Sequence, residues 1–147
     1  MTVSSTVQDY LQFLRYSLSP DSQSVPACVE RIDWTGLLQF AEKQSVVGVC
    51  WQGVRRMGEL WTNKPTEDDV LVWMVKVSKI AKQNKKVNDV AVKVVAHFQQ
   101  LGFEACVLKG QGNALLYPAP LSRIPGDTTS MCIRKDKVKI GQTMRQL

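Results

Sequence analysis

Apolar residues recur at helical spacing through the first hundred positions and lose that rhythm afterwards. Between Thr6 and Ser19 they fall at Val7, Tyr10, Leu11, Leu14 and Leu18, the three- and four-residue steps of an amphipathic helix. Pro20-Asp21-Ser22 ends it. Asp33 is suited to cap a second helix running to Lys43, with Leu37, Leu38 and Ala41 turned inward. Val46–Met57 reads as a third helix that packs Trp51 and Val54, and Trp61–Pro65 as a connector. The strongest pattern runs from Asp68 to Gln100. Trp73, Val77, Ile80, Val87, Ala91, Val94 and Phe98 recur mostly in three- and four-residue steps, with Lys82, Gln83, Lys85 and Lys86 interrupting them. One bent helix and two consecutive helices both fit. This stripe is packing surface rather than a cofactor site. Leu101-Gly102 is a helix stop.

Past Gly102 the period shortens. Phe103–Leu108 reads as a short buried strand, Lys109–Gly112 as a glycine-containing turn and Asn113–Tyr117 as one or two helical turns. Pro118–Pro125 is a proline-punctuated loop. Residues 128–147 show only isolated alternations, Met131 with Ile133 and Val138 with Ile140. The expected organisation is therefore a helical region over 1–101, a strand-turn-helix unit over 102–127 and an irregular tail over 128–147. The fold class is α/β, helical at the N-terminal end.

Composition narrows the class. A chain of 147 residues with 44% hydrophobic and 22% charged residues is globular and large enough for one core. No apolar run reaches the roughly 18–20 residues of a membrane span. Met1–Gln8 is polar and lacks a basic segment followed by an apolar one, so no secretory signal is expected there. Cys28, Cys50, Cys106 and Cys132 are far apart and form no C-x-x-C pair. That spacing suits reduced thiols and a cytoplasmic protein. Of the net charge of +6, residues 128–147 contribute +4 through Arg134, Lys135, Lys137, Lys139 and Arg145 against Asp136. Such a tail suits nucleic acid or an anionic surface, but a solvated, irregular tail is the stronger reading. No aromatic residue is interleaved there to stack on bases.

Candidate chemistry gathers at the turn. A strand that runs through a glycine turn into a helix presents backbone N–H groups to an anion. Gly110 and Gly112 allow close approach of that backbone. Lys109 adds a positive charge, and Arg123 is able to hold a phosphate through two nitrogens. On these residues alone, an ordinary strand–helix turn with surface Lys and Arg is the stronger reading. His97, the sole histidine, has no evident partner and reads as structural. Glu67-Asp68-Asp69 reads as the acidic first turn of a helix rather than a metal site.

The run Cys106–Asp127 changes that balance. Its Leu108-Lys109-Gly110, Tyr117-Pro118-Ala119-Pro120, Arg123 and Gly126-Asp127 resemble the start of the catalytic core of the uncharacterised nucleotidyltransferase family, within the polymerase-beta-like superfamily. That family reads Leu-Lys-Gly, a short helix, Tyr-Pro-x-Pro, an Arg, then Gly-Asp-hydrophobic-Asp-hydrophobic. The composite is specific where any single piece, such as a Gly-x-Gly, is weak. The resemblance implies transfer of a nucleoside monophosphate from an NTP to an acceptor, with Mg²⁺ as cofactor. It also implies nucleotide contacts at Lys109, Gly110, Gly112 and Arg123, and Asp127 as a catalytic metal ligand.

The sequence departs from the family at the metal strand. Two acids two residues apart point to one face of a strand, where they hold the ion that neutralises the triphosphate. Asp127 matches the first acid, but Thr129 stands where the second belongs, and a hydroxyl is a poor substitute for a carboxylate. Thr128 and Ser130 replace apolar strand residues, and Asp136 is the one acid that follows, with nothing to assign it as the third. One event accounts for these departures. Thr128-Thr129-Ser130-Met131 can be written ACG ACA TCT ATG, and a single T inserted after the first A restores Ile-Asp-Ile-Tyr. A one-base deletion near codon 128 is one expectation, with 128–147 out of frame and the core left incomplete and inactive; a genuinely divergent, non-catalytic relative is the other. The alternative is a non-enzymatic helical module whose basic tail engages nucleic acid or a protein partner.

Overall fold

The computed structural model describes residues 4–22, 24–58, 61–126 and the backbone of 130–134. Its elements are helices α1 (Ser5–Leu18), α2 (Trp34–Lys43), α3 (Val47–Arg56) and α4 (Glu67–Gln100), strand β1 (Phe103–Val107), the short helix α5 (Gln111–Ala114) and strand β2 (Ser130–Arg134). Two 3₁₀ turns, Ala27–Arg31 and Pro120–Ser122, lie in the connections. The described chain is mostly helical. Beyond the one strand expected after Gly102, β1 is joined by β2 in an antiparallel pair.

The N-terminal helices close on a single apolar core. Phe13, Val29, Leu37, Ala41, Cys50 and Trp73 are fully or almost fully buried at its centre. Aromatic rings fix the angles between elements. Phe13 meets Trp34 edge-on at 5.5 Å, and Trp51 stacks on Trp73 at 6.3 Å, both favoured arrangements of ring quadrupoles. The connector before α4 contributes as well. The Asn63 amide donates to the carbonyls of Val29 and Ile32 at 2.8 and 2.9 Å and accepts from Trp34 Nε1 at 3.3 Å. It thereby ties the 3₁₀ turn and the start of α2 to the connector.

Helix α4 is one unbroken element of 34 residues, about 50 Å long at 1.5 Å per residue. Thr66 caps it. Its hydroxyl accepts from the Asp69 N–H at 3.1 Å while the Asp69 carboxylate accepts from the Thr66 N–H at 3.1 Å, the reciprocal pair of a capping box. The acidic first turn Glu67-Asp68-Asp69 thus belongs to the cap. Asp33 does stand at the N-cap of α2, but its side chain makes no capping bond. The first half of α4 packs Trp73, Val77 and Ile80 on the core. Its length then carries it past that core, where it supports β1, α5 and β2.

β1 pairs with β2 from Phe103 opposite Arg134 to Val107 opposite Ser130. This corrects the expectation that nothing regular follows residue 128. Five residues of the anticipated tail form a strand, because β1 offers an unpaired backbone edge that a passing extended segment satisfies. Residues 127–129 and 135–147 lie outside the described residues.

Candidate active site

β1 ends at Val107 and the chain reverses through Leu108–Gly110 into α5. Gly110 has φ 59° and ψ −107°, a conformation closed to side chains with a Cβ. Gly112 is required for a different reason. A Cβ there would lie 2.5 Å from the carbonyl oxygen of Val107, so the helix start is pressed against the strand end. The Gly112 N–H donates to the Lys109 carbonyl at 3.2 Å, and the Ala114 N–H to the Gly110 carbonyl at 3.1 Å. α5 spans Gln111–Ala114, earlier in the chain than Asn113–Tyr117. With four residues it carries little macrodipole, since that effect sums over aligned peptides.

Arg123 returns to the turn from the proline loop. Its Nη1 donates to the Gly110 carbonyl at 3.3 Å, and its guanidinium carbon lies 6.0 Å from the centre of the Tyr117 ring. Residues thirteen positions apart, Gly110 and Arg123, are thus neighbours. Lys109 is exposed beside them and Arg123 is half-buried. Lys109, Gly110, Gly112 and Arg123 therefore share one corner of the molecule. Asp127 and Thr129 lie outside the described residues, as does Asp136. Among the described residues, no three His, Cys, Asp or Glu side chains are grouped to hold a metal. His97 is exposed, with its ring 6.0 Å from that of Phe98.

The corner rests on residues that the sequence reading left unassigned. Asn84 of α4 has 0% exposure. Its Nδ2 donates to the carbonyls of Leu121 at 2.9 Å and Arg123 at 2.7 Å. Gln111, at 9% exposure, points its Nε2 at Asn84 Oδ1, 3.1 Å away, and at Asn88 Oδ1. On the other side of the loop, Gln52 of α3 donates to the Ser122 hydroxyl at 2.8 Å. A signal for Asn84 existed: it completes the row Trp73, Val77, Ile80, Asn84, Val87, Ala91, whose four- and three-residue steps mark the inward face.

A cavity of about 790 Å³ opens elsewhere, at the far end of α3, between Tyr16, Arg56, Trp61 and Thr62. None of the turn residues lines it.

The sequence model of a family described as uncharacterised nucleotidyltransferases matches residues 30–139, well over half of the chain. The chain belongs to that family. A general nucleotidyltransferase function follows from this membership, and the match spans the helical region and the glycine turn alike. It continues twelve residues beyond Asp127. No curated protein and no solved structure matches this nucleotidyltransferase-family chain.

Proposed function

We propose that this chain binds the phosphates of a nucleoside triphosphate at the Lys109–Gly112 turn, and that it does not transfer the nucleotide. The observation that carries the binding half is the convergence of Arg123 on Gly110. It sets a guanidinium and the exposed Lys109 on one corner, beside the tight backbone turn that Gly110 permits. A planar guanidinium and an ammonium are complementary to phosphate oxygens, and each charge-assisted contact contributes roughly 1.5–3 kcal/mol.

Family membership supports Mg²⁺ as the cofactor of transfer. The donor set of this chain does not fit it: Thr129 replaces the second carboxylate, and the described residues supply no alternative cluster. No metal-dependent step is therefore assigned to this chain. Without that charge neutralisation, phosphoryl chemistry loses its main electrostatic support.

Two measurements test this reading. In calorimetric titration with each of the four NTPs, at least one binds, and Lys109→Ala weakens it about tenfold, the loss of one charge-assisted contact. Failure of all four to bind would overturn the site. In label-transfer assays with Mg²⁺ or Mn²⁺ the chain shows no product. Metal-dependent transfer that Asp127→Ala abolishes would overturn the reading of inactivity.

A further inference from the structure

A buried amide in the middle of a lysine-rich helical stretch needs an explanation. Asn84 sits among Lys82, Gln83, Lys85 and Lys86, all exposed, yet has no accessible surface itself. An amide removed from water is unfavourable unless its donors and acceptor are satisfied. Those of Asn84 are, and by more than its own helix. Besides the Ile80 carbonyl of α4 at 3.2 Å, Nδ2 faces the carbonyls of Leu121 and Arg123, while Oδ1 accepts from Gln111. The oxygens of Leu121 and Arg123 come from an irregular loop, which has no ladder of its own to pair them. The orientation of Gln111 is fixed too, because three oxygens converge on Nε2: the Asn84 carbonyl, Asn84 Oδ1 and Asn88 Oδ1.

We infer that Asn84 is a positioning residue that holds both halves of the nucleotide site, the glycine turn through Gln111 and the Arg123 loop through its own Nδ2. The inference rests on the reading of the turn as a phosphate site. Neither amide touches the proposed ligand. Their effect is on where Gly110 and the Arg123 guanidinium stand relative to each other. The separation is geometric as well. The apolar core lies along α4 up to Trp73, Val77 and Ile80, so the amide cluster begins where the core ends.

The two ties are separable, which a mere packing role would not be. Gln111→Met keeps the volume and removes the tie to the turn. Asn84→Leu removes the tie to the Arg123 loop and the Oδ1 part of the tie to the turn, leaving Gln111 the backbone carbonyl of residue 84 and Asn88 Oδ1. Residue-resolved hydrogen exchange should show amides of 109–114 exchanging at least tenfold faster in Gln111→Met, with 121–124 unchanged. In Asn84→Leu both segments should exchange at least tenfold faster, while α1, α2 and α3 keep wild-type protection. Calorimetry with the NTP that binds wild type best, at a temperature where every variant is folded, should show at least tenfold weaker binding for Asn84→Leu. Lys109→Ala should weaken binding and leave exchange in both segments unaltered.

Unchanged exchange in 109–114 and 121–124 for both variants would overturn the inference, as would equal acceleration of both segments by Gln111→Met. Wild-type affinity in Asn84→Leu would also overturn it. If Asn84→Leu does not fold, Gln111→Met alone decides, through its segment pattern and at least a threefold loss of affinity. If wild type binds no NTP, the site reading fails, and the exchange pattern still decides whether the amides hold the two segments.

Discussion

The cysteines show how differently this fold treats one residue type. Cys50 is fully buried, and burial pushes its thiol up to about 12. Burial also raises the Cys28 thiol, with the nearby Asp9 carboxylate acting in the same direction. Cys106 is exposed on β1. Alkylation requires the thiolate and access to it. With iodoacetamide at neutral pH, Cys106 should therefore react at least a hundredfold faster than Cys28 or Cys50, which react only after denaturation. Peptide mass mapping against time checks this, and equal rates for Cys50 and Cys106 would contradict the burial of α3. Gly112 is a sharper case. A methyl group there meets a backbone oxygen at 2.5 Å, which cannot swing aside as a side chain would. Gly112→Ala should cost about 1–3 kcal/mol, the range of overpacking, read as a lower denaturant midpoint. It should also weaken NTP binding, since the helix start must move off β1. An unchanged midpoint would mean that the strand and turn are not in contact.

Among the elements, α4 carries most of the organisation, and its N-terminus is the place to weaken it. Thr66→Ala removes the hydroxyl side of the capping box and should cost about 1 kcal/mol, lowering Tm by about 3 °C in a chain of this size. The same cap has an acid signature. The Thr66 hydroxyl, chiefly, holds the Asp69 carboxyl below its usual range. A depressed folded value means that this stabilisation is present above the ordinary carboxylate range and is lost as pH falls through the folded value. Melting curves below about pH 4 should show an acid-dependent loss that is smaller in Thr66→Ala. Equal loss in both proteins would remove Asp69 from the account. Much of this element is legible in the sequence, because its length, acidic start and Leu101-Gly102 stop are local signals. Its continuity is not. Counted along the chain, the lysines at 82, 85 and 86 look like an interruption. Counted around the helix they fall on the outer face, and Asn84 alone takes the inward place between Ile80 and Val87. The candidate site divides the same way. Lys109, Gly110, Gly112 and Arg123 are visible as a motif. Gln111 and Asn84 are not, because a hydrogen bond between residues twenty-seven apart leaves no periodic trace.

At the scale of the whole molecule, the question is whether residues after Asp127 are an appendage or part of the fold. The strand at 130–134 is invisible to pattern reading because its alternation lasts only a few residues. A short strand is specified by the edge it joins more than by itself. Once joined, it is no longer dispensable. β1 pairs with it over five residues, and each cross-strand pair contributes roughly 0.2–1 kcal/mol. Stopping the chain after Asp127 should therefore destabilise it by about 1–5 kcal/mol and expose the β1 backbone. An appendage would cost nothing when removed. The comparison is between the full chain and a 1–127 truncation, by denaturant titration and by hydrogen exchange at Phe103–Val107. Faster exchange in β1 with α1–α3 unaffected is the expected result. It would mean that the end of β1, which sets the position of the turn, depends on a partner from beyond the departed metal strand. The truncation should then weaken NTP binding as well, although it removes neither Lys109 nor Arg123. Identical stability and β1 exchange in the two proteins would return 128–147 to the status of a tail, and would leave the turn supported by α4 alone.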